Sequence, residues 1–278
     1  MTNLLLVLLI WMGSLCGGLI GALTGLGGGV VIVPLLVLVF GVDIRYAMGA
    51  SLISVIATSS GAAAAYVKEG FSNIRIGMFL EIATTIGALL GASLAVRLPT
   101  VLIGGIFGGV LVVSALLSLR GPGDPPGNEP PDPLATRLKM DSTYPSLTGI
   151  KAYHVRRIPS GFGMMFGAGT LSGLLGIGSG AFKVLAMDQV MRIPFKVSTT
   201  TSNFMIGVTA AASAGIYLRR GFIAPGLAMP VVLGVIIGSI IGTRVLVKTK
   251  TKWLRIVFSF VIAILGMEMI YGAFTGKL

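Results

Sequence analysis

Apolar residues run along this chain in long blocks separated by short polar stretches. Val101–Leu119, Met229–Val247 and Ile256–Phe274 each approach the roughly 20 residues a helix needs to cross about 30 Å of hydrocarbon. The pattern predicts helices near 46–66, 74–97 and 100–119, and again near 197–218, 223–247 and 253–274. Between the two sets, Arg120–Ile158 breaks the pattern. Its core, Gly121–Pro133, is rich in proline, glycine and polar residues and does not suit a membrane span. The chain therefore divides into a first transmembrane repeat (1–119), a Pro/Gly-rich linker (120–158) and a second transmembrane repeat (159–278).

Each half opens with an apolar stretch of unusual length. Leu4–Phe40 would reach about 55 Å as one helix, too long for a single crossing. It is interrupted at Gly25–Gly29, after which Val30–Phe40 reaches only about 17 Å. A helical hairpin with a glycine-rich tip inside the membrane fits those lengths. The second copy is Pro159–Leu175, the break Gly176–Gly180, then Ala181–Met191. A constant offset of 151 relates the halves: Gly18 maps to Gly169, Gly29 to Gly180, Ser51 to Ser202, Tyr66 to Tyr217 and Gly70-Phe71 to Gly221-Phe222. That is an internal repeat.

Composition and charge sharpen this picture. With 54% hydrophobic and only 11% charged residues, and a mean hydropathy of +0.96, the chain lacks the polar surface of a soluble protein. The net charge of +12 does not mark a nucleic-acid binder, because the basic residues flank apolar runs and form no stripe with interleaved aromatics. Cys16 is the only cysteine, which excludes an intrachain disulfide or a cysteine zinc site. Leu4–Met12 has no basic leader or small-residue cleavage site and reads as a retained first segment. If each opening hairpin returns to its own side, the halves are inverted. Arg45, Arg97, Arg219, Arg220 and Lys277 then lie on one face, Lys183 lies within the membrane, and the other 15 of the 21 lysines and arginines share the opposite face. A single crossing by each opening stretch would split the flanking charges 11 against 9. The inverted arrangement obeys the positive-inside rule. It predicts a cytoplasmic linker and external termini. The expected fold is all-α: a polytopic membrane protein of two inverted repeats, each opening with a glycine-broken hairpin followed by three helices.

Inverted repeats with broken helices are a transporter architecture, with the site where the breaks meet. The candidate tips are Gly25, Gly27, Gly28 and Gly29, and Gly176, Gly178, Ser179 and Gly180. Glycine permits a sharp turn and brings backbone N–H groups close to a ligand. The half-helices opening at Val30 and Ala181 would present positive dipole ends to an anion. Close helix packing is the competing use of such glycines. Lys183, three residues past the second tip, stands where the first copy has Ile32. It suits either an anionic substrate or a structural pair with Asp188. Ser51, Thr201, Ser202 and Asn203 offer neutral donors to an oxyanion, or else caps and interhelical hydrogen bonds. Thr58-Ser59-Ser60 is a weaker patch among alanines. Glu81 is a candidate for proton coupling or for a structural ion pair; Glu268 lies near a helix end. His154 falls in the linker, away from any catalytic role.

At these residues the chain resembles the sulfite exporter TauE/SafE family of membrane transporters. The resemblance rests on Gly21-Ala-Leu-Thr-Gly-Leu-Gly-Gly-Gly-Val-Val-Ile-Val-Pro34 with Ala47-Met-Gly-Ala-Ser51. It extends to Gly173-Leu-Leu-Gly-Ile-Gly-Ser-Gly180 and the second repeat. It implies transport of small sulfur-containing anions such as sulfite, sulfonates or sulfoacetate, at the inner (cytoplasmic) membrane. The second copy departs from the family pattern at Gly178-Ser-Gly-Ala-Phe-Lys183 and at Leu185, the counterpart of Pro34. The expected function is a secondary transporter working by alternating access, with an anion channel or a carrier of another small oxyanion or carboxylate as the alternative. An intramembrane enzyme is disfavoured: there is no HExxH and no in-membrane carboxylate pair. The expected partners are a small anionic substrate and the lipid bilayer, with no nucleic acid and no cofactor; a homodimer is left open.

Overall fold

A computed structural model of the chain describes residues 3–24, 28–68, 70–119, 132–146, 149–248 and 251–275. The first half holds α1 (Asn3–Thr24), α2 (Gly29–Pro34) running into a π-helical turn at Leu35–Val39, then α3 (Ile44–Lys68), α4 (Ile74–Ala95) and α5 (Thr100–Leu119). The linker contributes α6 (Pro133–Arg137) and the strands β1 (Ser142–Ser146) and β2 (Gly149–Tyr153). The second half repeats the order: α7 (Ile158–Leu175), α8 (Gly180–Leu185) with a π-turn at Ala186–Val190, α9 (Phe195–Arg219), α10 (Pro225–Lys248) and α11 (Thr251–Phe274). Helix ends differ from the expected ones by one or two residues for local reasons. α4 stops at Ala95 rather than 97, because Leu98 precedes Pro99 and proline disfavours helical geometry before it. α10 starts at Pro225 rather than 223, since proline fits the first helical position.

The offset seen in the sequence recurs in the elements. Gly29 and Gly180 open α2 and α8, Ile44 and Phe195 open α3 and α9, and Thr100 and Thr251 open α5 and α11. The backbone repeats as well: Gly28 and Ser179 take φ of 76° and 53°, and Gly41 and Arg192 take 63° and 58°. The left-handed region costs an L-residue about 1–2 kcal/mol, so Ser179 and Arg192 hold by context what glycine adopts freely. Pro34 is not needed for the π-turn, which forms beyond Leu185 in the second copy without it.

In the first hairpin Gly13 faces Leu35 and Gly17 faces Val31 and Ile32, so the second arm folds back along α1. In the second, Gly161 faces Met191. The longer helices then pair reciprocally. α1 packs along α10 and α7 along α4, while α3 and α5 pack on their own counterparts, α9 and α11. Small residues make these crossings close. A Cβ on Gly18 would stand 2.5 Å from the carbonyl oxygen of Val235, and one on Gly91 would collide with that of Thr170. Packing thus accounts for the repeat-matched glycines within the helices, whereas Gly70 and Gly221, at φ 73° and 74° with open space around a Cβ, serve the turns before α4 and α10.

Among the described residues, three helices, over Leu4–Ala22, Ile74–Ala95 and Pro225–Gly242, are long and apolar enough to cross a membrane. Rows of exposed apolar side chains cover them, including Leu4–Leu9 on α1 and Met229, Leu233 and Ile237 on α10. A soluble fold would not leave such a surface uncovered. The chain is a polytopic helical membrane protein. α3 and α9 carry buried Ser51, Ser54, Thr58 and the run Ser198–Asn203, and they pack against each other. They form the polar interior around which the lipid-facing helices stand.

The linker has more structure than its composition suggests. β1 and β2 pair antiparallel, with Ser142 opposite Tyr153. Ala135, Met140, Tyr153 and Val155 share a core with Ile76 and Leu80 of α4. A two-stranded hairpin is marginal alone, and here the end of the helical bundle supplies the apolar surface it buries.

Candidate functional site

The two hairpin tips meet inside the bundle. A Cβ on Gly29 would stand 2.5 Å from Ser51 Oγ and 3.2 Å from Ile177 Cα, which belongs to the second tip. Ser51 Oγ in turn donates to the Gly176 carbonyl at 2.8 Å, so α3 of one half holds the tip of the other. Gly176 and Gly178 have φ of 67° and 74°. At Gly178 a Cβ would also lie 2.8 Å from Val55 Cγ1, so both conformation and space call for glycine. Gly28 is buried at φ 76°, and its carbonyl accepts from Val31 N and Ile32 N as α2 begins. Gly25 and Gly27 lie outside the described residues.

The polar run on α9 divides by partner. Ser202 Oγ donates to the Gly180 carbonyl at 3.4 Å, and Asn203 Nδ2 reaches the Ala22 carbonyl at 3.4 Å. The carbonyl of Asn203 accepts from Ser59 Oγ at 2.6 Å, and that oxygen accepts from Gly207 N. Ser59, read from sequence as a minor patch, therefore stitches α3 to α9. Thr201 serves another place: its Oγ1 accepts the backbone N–H of Asn73 at 3.0 Å, in the loop before α4. Among the described residues, two polar atoms at the tips have no hydrogen-bond partner: Ser179 Oγ, on a residue 1% exposed, and Asn203 Oδ1, on a fully buried residue. A buried polar atom without a partner is uncommon and marks a place where a ligand or water completes the shell.

Lys183 is fully buried on α8, one helical turn past the second tip. Its Nζ lies 3.2 Å from Glu81 Oε2 on α4 and also contacts Thr209 Oγ1 on α9. Thr209 Oγ1 donates to Glu81 Oε1, which further accepts from Thr85 at 3.2 Å. The partner of Lys183 is thus Glu81 and not Asp188, which the sequence reading had offered as the structural pair. Five residues along one helix point Lys183 and Asp188 to different sides, whereas α4 brings Glu81 against α8 from the other half. Glu81 accordingly meets a charge within the bundle, in a pair that carries no net charge. Of the three protons of the ammonium, the structure engages two among the described residues. Thr209 carried no sequence signal as a lone threonine in an apolar stretch. Asn73 was equally hidden, and its position capping α4 is visible only once that helix start is fixed. Among the described residues no group of three or more His, Cys, Asp and Glu side chains gathers to hold a metal ion.

Sequence comparison narrows what two broken hairpins meeting tip to tip serve. The sequence model of the sulfite exporter TauE/SafE family matches residues 10–269. The chain belongs to that family. Relatives include the probable membrane transporter protein YunE of Bacillus subtilis, 27% identical over 95% of this chain and 97% of its own. A probable membrane transporter protein of Xylella fastidiosa is 26% identical over 98% of this chain and 97% of its own. One of Methanocaldococcus jannaschii is 24% identical over 96% of each. No solved structure matches the chain. The TauE/SafE match takes in both tips, the α3–α9 interior and the Glu81–Lys183 pair, and the relatives it brings are membrane transporters.

Proposed function

We propose that this TauE/SafE protein is a secondary transporter of small sulfur-containing oxyanions, bound between the two hairpin tips. The observation that carries the proposal is the pair of buried, unpartnered atoms, Ser179 Oγ and Asn203 Oδ1, beside tips that pack directly on each other. Ser179 Oγ–H and the amide groups around Gly28–Gly29 and Gly178–Gly180 supply neutral donors. Asn203 Oδ1, an acceptor, suits the protonated oxygen of an ion such as bisulfite or a bridging water.

Lys183 supplies the charge. A transported anion reaching its free N–H would bring a second negative charge to an ammonium already paired with Glu81. The anion and the Glu81 carboxylate compete for the Lys183 ammonium, which makes Glu81 the candidate coupling residue, while Ser51 and Ser202 hold the tip backbones in place. Halves inverted across the inner membrane let the same site face either side by rocking, with the linker in the cytoplasm and both termini outside.

Two measurements test this reading. In a protein with Cys16 replaced, a cysteine at Ser142 is expected to resist a membrane-impermeant thiol reagent in intact cells and one at Thr275 to react; labelling at Ser142 from outside overturns the orientation. A proteoliposome binding screen with sulfite, thiosulfate, sulfoacetate, taurine and sulfate is expected to show saturable binding of sulfite or a sulfonate. Binding by none of these anions sinks the substrate class.

A further inference from the structure

A second cavity, lined by none of the tip residues, lies where the linker meets the start of α4. Of about 610 Å³, it is walled by Ser72, Asn73, Ile74, Arg75 and Met78 on one side and by Lys139, Asp141 and Ser142 on the other. We propose that it binds the phosphate headgroup of an anionic phospholipid, with the acyl chains lying along α4.

Charge is the first argument. Arg75 and Lys139 both line the cavity, and Asp141 is the acid among its walls. Both Asp141 oxygens are already engaged: Oδ1 accepts from Val155 N at 2.9 Å and Oδ2 lies 3.3 Å from His154 Nδ1. Arg75 is oriented by a 2.6 Å bond from one Nη to the Lys139 carbonyl, and the rest of its guanidinium fork remains for an oxyanion. Among the described residues, Ser72 Oγ is buried there without a partner.

The apolar surface is the second argument, and it separates a lipid from a soluble anion. Ile74 begins the apolar span Ile74–Ala95, so the cavity stands at the membrane boundary. From it an exposed row, Ile74, Met78, Ile82, Ile86 and Leu90, runs down α4 at four-residue spacing. Ile74 and Met78 belong to both the cavity and the row. An occupant with an anionic head and an apolar tail covers both surfaces; inorganic phosphate or a soluble phosphate ester covers only the first. The cavity also borders Asn73, whose side chain donates to the Met140 carbonyl and to Tyr153 OH of the linker while its backbone N–H donates to Thr201. A lipid seated here would therefore brace the linker against the helix that carries Ser202 and Asn203.

Native mass spectrometry of the full-length protein in mild detergent tests the proposal. Phosphatidylglycerol, phosphatidylcholine with the same chains, and inorganic phosphate would be titrated separately and in competition. Retention of one phosphatidylglycerol per chain is expected, preferred over phosphatidylcholine by about tenfold or more, the equivalent of about 1.4 kcal/mol. Lys139→Gln should remove most of that preference. It leaves the Arg75 bond intact because that bond is to a backbone carbonyl, so folding is not at issue. Arg75→Gln with Lys139→Gln should abolish the preference, whereas Arg219→Gln with Arg220→Gln at the far end of α9 should leave it intact. Equal binding of both lipids, or an unchanged preference in Lys139→Gln, would overturn the proposal. Displacement of phosphatidylglycerol by inorganic phosphate at comparable concentration would assign the cavity to a soluble anion instead.

Discussion

Lys183→Met is expected to destabilise the protein by about 3–5 kcal/mol, because it leaves the Glu81 carboxylate buried and without its cation. In practice the variant should insert poorly and aggregate on extraction. Glu81→Leu alone should behave likewise, since it strands a fully buried ammonium. The double variant Glu81→Leu/Lys183→Met removes both charges and should recover most of the lost stability, because a well-packed apolar pair is often no worse than a buried ion pair. Thermal unfolding of the purified proteins checks this, with non-additivity as the signature. Transport separates structure from function. If Lys183 contacts the anion, the folded double variant should still lose about tenfold to a hundredfold in anion affinity, the worth of one charge-assisted hydrogen bond. Lys183→Met/Asp188→Leu should give no such recovery, because Asp188 does not face the ammonium. A double variant that folds and transports normally would reduce Glu81 and Lys183 to a structural strut.

Gly178→Val is the second change with a large expected effect. Gly178 sits at φ 74°, where a β-branched residue is strained, and its Cβ position is only 2.8 Å from Val55. Gly178 is buried at the tip against Val55 of α3 and Ile206 of α9 and does not take part in the α4–α7 and α1–α10 crossings, so those should survive. The expected outcome is near-normal membrane insertion with transport lost. Uptake close to that of the unsubstituted protein would return this glycine to a packing role. Gly105→Val provides the control, because a Cβ there meets nothing within 4 Å.

Much of the architecture was legible in the sequence because it was written twice. The offset linking Gly29 to Gly180 and Ser51 to Ser202 reappears in the starts of α2 and α8 and in one face shared by α3 and α9. The hairpins were legible from length alone, since Leu4–Phe40 is too long for one crossing. What the sequence hid were contacts between the halves. Glu81 and Lys183 are 102 residues apart and break the repeat, since Ile32 stands opposite Lys183, so no periodicity links them. Thr201, Ser202 and Asn203 are consecutive, yet the helix turns each about 100° from the last. One therefore faces the Asn73 loop and the others reach tip and hairpin carbonyls. The linker was opaque for a related reason: its few apolar residues form no pattern of their own and are buried only against the end of the helical bundle.

Counterflow in proteoliposomes tests the central claim most directly. Purified protein would be reconstituted with unlabelled sulfite inside and a trace of labelled sulfite outside, and uptake followed for the unsubstituted protein and Gly178→Val. A carrier with one site exposed alternately to each side predicts transient accumulation of label above equilibrium, stimulated by the internal anion and absent in the variant. Uptake indifferent to internal sulfite, accompanied by unitary anion currents in planar bilayers, would contradict alternating access and make the protein a channel.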